Sequence, residues 1–153
     1  MTTTVNSTQN KQPAQTIALR KLFWVTPLAI VAASIANLIL YFAASRIFPT
    51  VGAWTGASAG QIIGATIVYL FVGAIVVAII SRVSSQPARH FRIVATIGLI
   101  ISLFLPLSAW FGYGAEGVPP ADTATAITLS LMHVVAFAIS VPMFTRLVLV
   151  EKR

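Results

Sequence analysis

The chain has 153 residues, of which 58% are hydrophobic and 8% charged, and its net charge is +7. Soluble domains carry about 25% charged residues. Ten basic and three acidic side chains cannot cover a chain of this length, so a soluble globular domain, a disordered protein and a coiled coil are all excluded. What remains is an integral membrane protein in contact with the lipid bilayer.

In chain order, residues 1–15 are rich in Thr, Asn, Gln and Ser. They lack apolar periodicity, which predicts a disordered cytoplasmic tail over 1–19. A bilayer core of about 30 Å needs about 20 apolar residues in a helix. The first run that long is 22–44, and it exceeds the apolar core of a signal peptide. The second is 60–80, the third 93–111 and the fourth 126–147. The runs are continuously apolar rather than alternating, so helices are expected instead of barrel strands. The predicted fold is all-α: a polytopic four-helix bundle over 20–150, with a short tail at 151–153. The connectors, 45–59, 81–92 and 112–125, are too short for an extramembrane domain.

Lys and Arg accumulate on the cytoplasmic side of membrane proteins. With the N-terminus inside, nine of the ten basic residues fall on that side and Arg46 alone falls outside. The expectation is a multi-pass protein of the plasma (inner) membrane with both termini cytoplasmic. The basic residues sit at span ends, which accounts for the charge without nucleic acid.

Glycines at 52, 56, 60 and 64 recur at every fourth position. Such spacing makes a ridge that lets another helix approach closely. Gly56, Gly60 and Gly64, with Gly98 and Ser102 on the third span, are therefore expected in helix packing. Their contact is expected within the bundle, in a homo-oligomer or against a membrane partner protein.

Polar groups at hydrocarbon depth are costly and face the bundle interior. Asn37 lies past the middle of the outward first span and His133 before the middle of the inward fourth. Both are expected about 6 Å from the midplane in the outer half. Ser34, Ser130, Thr66 and Gln61 share that half, so a polar layer centred on Asn37 and His133 is the candidate binding site. One reading is an interhelical hydrogen bond, Asn37 to His133 or each to a hydroxyl. The sharper one is a ligand or proton site, since histidine titrates near neutrality.

The same residues argue against catalysis. No cysteine is present, and two histidines and three acids are too few for most metal sites. Asp122 precedes His133 by about 16 Å of helix, too far for a hydrolytic triad. No nucleotide-binding motif occurs. The expectation is a protein without enzymatic activity, cofactor or metal. Its leading role is packing, accessory or oligomer-forming. The alternative is a small transporter or ligand-binding protein built on the Asn37 and His133 layer.

The opening RKLFW, the alanine-rich stretch around Asn37, the glycine-spaced second span, the PLS at 106–108 and LMHVVAF around His133 resemble small four-span bacterial membrane proteins of a domain-of-unknown-function family. The resemblance covers about residues 18 to 150. It implies the fold, a bacterial source and a membrane location, and carries no activity.

Overall fold

The computed structural model describes residues 19–113 and 116–149. Six α-helices follow in order: α1 (Leu19–Ile47), α2 (Pro49–Ala53), α3 (Ala59–Val83), α4 (Pro87–Ser102), α5 (Phe104–Trp110) and α6 (Thr123–Met143). A π-helical turn, Phe144–Val148, extends α6. The described residues contain no strand. Four stretches are long and apolar enough to cross a bilayer: α1, α3, α4 with α5, and α6 with the π turn. Most of the expected tails, 1–19 and 151–153, lies outside the described residues.

Each spanning helix outruns its apolar run, because local signals rather than hydropathy set its ends. The Ser58 side chain accepts from the Gln61 N–H at 3.3 Å and opens α3. Asp122 accepts from the Thr125 N–H at 2.8 Å and opens α6; both are N-caps. Pro87 begins α4 at a position where its missing N–H costs nothing. The third span breaks at Leu103. Pro106 has no N–H to offer the Ser102 carbonyl, so the α-helical ladder loses a rung there.

Helix α1 is the hub. It packs along α3 on one side and α6 on the other, while α4 leans on α3 and α6. Its inward face is Val25, Ala29, Ala33, Asn37 and Tyr41, every fourth residue, all buried. Ala29 and Ala33 are 0% exposed. Small side chains on one such ridge let neighbouring backbones close in. The close-packing device is thus the alanine pair of α1. Gly60, Gly64 and Gly98 have no neighbouring atom within 4 Å of where a Cβ would stand. Within the chain, these expected packing glycines touch no other helix.

Two buried clusters bracket the middle of the bundle. At the end rich in Lys and Arg, Val25, Ala29 and Ala33 meet Ala74, Val77, Phe91 and Phe144. At the opposite, loop-bearing end, Tyr41, Ala44, Val51, Ile62 and Met132 come together. The periphery is apolar too. Ile35, Ile39, Phe71, Ile79, Ile101 and Phe104 are each more than half exposed. An apolar belt of this kind is stable only in lipid, and the molecule is a multi-pass membrane protein.

The loop-bearing end is tied together. The Thr50 hydroxyl donates to Asp122 Oδ2 at 2.7 Å, and Trp54 Nε1 donates to the Pro119 carbonyl at 2.8 Å. Hydrogen bonding from Thr125 and from the Thr50 hydroxyl holds the Asp122 carboxyl below its ordinary range. Gly112 ends α5 with φ of +81°. Tyr113 N–H reaches the Ser108 carbonyl, and Gly112 N–H the Ala109 carbonyl. This paired closure needs a left-handed residue, the conformation glycine adopts at least cost.

Candidate functional site

The backbones of α3 and α6 stay apart across the bundle centre. The space between them, walled by α4, is a cavity of about 500 Å³. It reaches from Gly56, Ala57 and Gln61 at the loop-bearing end to Phe91 and Phe144. Those two rings meet edge to face, centroids 5.9 Å apart, and form its floor. Each wall is one helical face. On α4 the lining residues are Phe91, Val94, Ala95, Gly98, Leu99 and Ser102, the spacing of a single stripe. Helix α1 contributes one lining residue, Asn37.

Asn37 is 4% exposed. Its Nδ2 donates to Thr66 Oγ1 at 3.3 Å. The Thr66 hydroxyl donates in turn to the Ile62 carbonyl at 2.8 Å. That hydroxyl has one proton, and the shorter bond uses it, so Thr66 can only accept from Asn37. The Asn37 amide nitrogen therefore faces Thr66, and Asn37 Oδ1 is left buried with no partner. An empty acceptor in a dry interior is costly, so its persistence calls for an explanation.

His133 is half-buried and lines the same cavity. Its Nδ1 lies 2.8 Å from the Leu129 carbonyl one turn back. A carbonyl only accepts, so Nδ1 carries the proton; in the neutral ring Nε2 then presents a lone pair. The Tyr69 ring stands edge-on to the imidazole, centroids 6.0 Å apart, and joins α3 to α6.

Four of the six residues expected in the polar layer line this cavity: Asn37, Gln61, Thr66 and His133. Ser34 and Ser130 do not. Ser130 spends its hydroxyl on the Ala126 carbonyl of its own helix at 2.8 Å, and Ser34 Oγ is buried without a partner. Of the expected interhelical bonds, the one from Asn37 to a hydroxyl forms, on Thr66; His133 bonds the Leu129 carbonyl of its own helix instead. Of the expected packing residues, Gly56, Gly98 and Ser102 are cavity wall. Gly56 lies under the Trp54 ring, where an added Cβ would fall 2.3 Å from the indole.

Tyr69, Phe91 and Phe144 are wall residues that the polar-layer reasoning missed. A usable signal existed for Tyr69, which follows Thr66 by three residues and so shares its helix face. Among the described residues no Asp, Glu, Lys or Arg lines the cavity. Among the described residues no group of His, Asp or Glu could hold a metal. The arrangement is an apolar chamber with a few uncharged polar groups, the usual make-up of a small-molecule pocket.

The model of a family of unknown function (DUF6069) matches residues 18–149. No curated protein and no solved structure matches the chain.

Proposed function

The chain belongs to DUF6069, a family of unknown function, and we propose that it is a membrane-embedded binding or carrier protein for a small apolar molecule, without enzymatic activity. The observation that carries this reading is the cavity of about 500 Å³, within the range of about 300–1,000 Å³ of small-molecule pockets. Asn37 and His133 both line it, and among the described residues no charged group does. Carboxylate relays usual in proton-coupled pumps are absent from its lining, which favours binding or passage of a neutral solute.

The test uses the full chain in phosphatidylcholine nanodiscs and a diazirine derivative of 1-decanol. Photolabelling is expected to saturate and to map to the cavity faces of α3, α4 and α6. Gly98 stands mid-stripe on α4 with open space in front of it. Gly98→Leu is therefore expected to fill the chamber without a clash and to lower saturable labelling about tenfold or more. Non-saturating labels spread evenly over the lipid-facing surface, alike in both proteins, would overturn the reading.

In this proposal the basic end faces the cytoplasm of a bacterial inner membrane. Support comes from Arg20, Lys21, Arg82, Arg89, Arg92 and Arg146, which all sit at that end of the spans. The chain has no cysteine, so single introduced ones report topology directly. A cysteine at Glu116 is expected to react with an impermeant maleimide from outside the cell, and one at Arg89 only after lysis. The reverse pattern would refute the orientation.

A second reading, self-association through α3, is favoured by the open positions of Gly60 and Gly64. The particle mass in detergent decides it, and a monomer would remove it.

A further inference from the structure

We infer that the cavity is a side-opening slot for one unbranched hydrocarbon chain, which enters from the bilayer between α3 and α4. The inference rests on the binding reading above and adds the chemical class of the ligand.

The opening is marked by which lining residues are exposed. On α6 every lining residue is buried or half-buried. The exposed ones are Gln61, Ala65, Tyr69 and Val72 on α3, and Val94 and Gly98 on α4. Tyr69 is 47%, Val72 51% and Val94 43% exposed, more than a share in the wall of a closed chamber leaves open. This seam lies within the apolar runs, so it faces acyl chains rather than water. The third span is also the least enclosed: 6% of its most apolar stretch is buried, against 28% or more in the other three.

The shape of the slot selects its occupant. From Gln61 to Val76 the wall on α3 runs about 22 Å, at about 1.5 Å per residue. A volume of about 500 Å³ spread over that length leaves a mean section of about 23 Å². One carbon chain in van der Waals contact, with about 4 Å between atoms, fills such a section; two chains or a fused ring system exceed it. An extended chain advances about 1.25 Å per carbon, since C–C bonds are about 1.5 Å long, so about 16 to 18 carbons reach from rim to floor. The polar end belongs at Gln61, exposed at the rim, and the methyl end against Phe91 and Phe144. Lipid is as apolar as the wall, so the gain is packing contact along the chain. It grows with chain length until the floor is reached. The Gln61 amide both donates and accepts, so a free alcohol and the head of a lipid both suit the rim, and the chain is what they share.

Competition against the saturable photolabel tests this, with the full chain in phosphatidylcholine nanodiscs. 1-Octanol, 1-dodecanol, 1-hexadecanol and 1-eicosanol are compared at equal membrane-partitioned concentration. Displacement is expected to strengthen about tenfold from 1-octanol to 1-hexadecanol and to gain nothing further at 1-eicosanol. Cyclododecanol, a wider shape with the carbon count of 1-dodecanol, is expected to compete about tenfold less well than 1-dodecanol. Gly73 stands beside the floor, where an added Cβ would meet the Phe144 ring at 3.9 Å. Gly73→Leu is therefore expected to raise the floor and move the best competitor from 1-hexadecanol to 1-dodecanol. Palmitoyl lysophosphatidylcholine separates the sources: if it competes as well as 1-hexadecanol, a lipid supplies the chain, and if it competes no better than 1-octanol, a free amphiphile does. Bimane on Ala65→Cys is expected to be quenched by phosphatidylcholine brominated in its acyl chains, and no quenching would overturn the side entrance. If all lengths compete alike, or the ring competes as well as the straight chain, while labelling still saturates, the inference is overturned and the binding reading stands. If nothing saturates in the native chain, the binding reading and the inference fall together.

Discussion

Phe144→Ala is expected to cost the fold more than any other single truncation, about 3 kcal/mol, the lower end for a buried aromatic. Phe144 is 1% exposed. It stands edge-on to Phe91 in the cluster where α1, α3 and α4 converge. A Cβ added to Gly73 would sit 3.9 Å from its ring, in ordinary contact, so the glycine on α3 leaves room for the ring. The lower end of the range applies because lipid tails are as apolar as the bundle interior. What is lost is contact, plus the void left when the cavity floor opens. Reversible unfolding in mixed micelles measures it. Phe144→Leu is expected to retain most of the stability, and an unchanged Tm for Phe144→Ala would mean that the floor is not packed as described.

Asn37→Leu is expected to act in the opposite direction, raising thermal stability. Hydrogen bonds between spanning helices contribute about 0.6 kcal/mol on average. A buried acceptor without a partner costs about 1–3 kcal/mol. Asn37 has one bond of the first kind, at 3.3 Å, and one atom of the second kind. The second effect is larger, and Leu keeps the branched heavy-atom skeleton of Asn. Thr66 is not orphaned by the change, since its proton already belongs to Ile62. A clear fall in Tm for Asn37→Leu would show that Asn37 is structural glue.

The four spans were readable because lipid demands long uninterrupted apolar runs, and such runs are visible in one sequence. Depth was readable too, since rise per residue is fixed: Asn37 and His133 do line one cavity. Rotation about each helix axis was not. Spacing by four says that Gly60 and Gly64 permit a close neighbour, but not that α1 would use Ala29 and Ala33 instead. Hydroxyl partners were equally hidden. Ser130, like Thr26, Thr96 and Thr128, bonds a carbonyl one turn back on its own helix, so a polar residue in the right layer need not face the site. The cavity itself could not be foreseen, since it depends on two helices remaining apart.

The π turn at the end of α6 has a consequence for how the chain tolerates change in length. Its wider loop of backbone, closed by Leu149 N–H on the Phe144 carbonyl, holds one residue more than an α-helix would. Phe144, Thr145, Val148 and Leu149 all turn inward across it. Excise the surplus residue and the ordinary spiral resumes, with Leu149 still one turn above Phe144. The tip of this helix thus has room to lose one codon and keep its inward face.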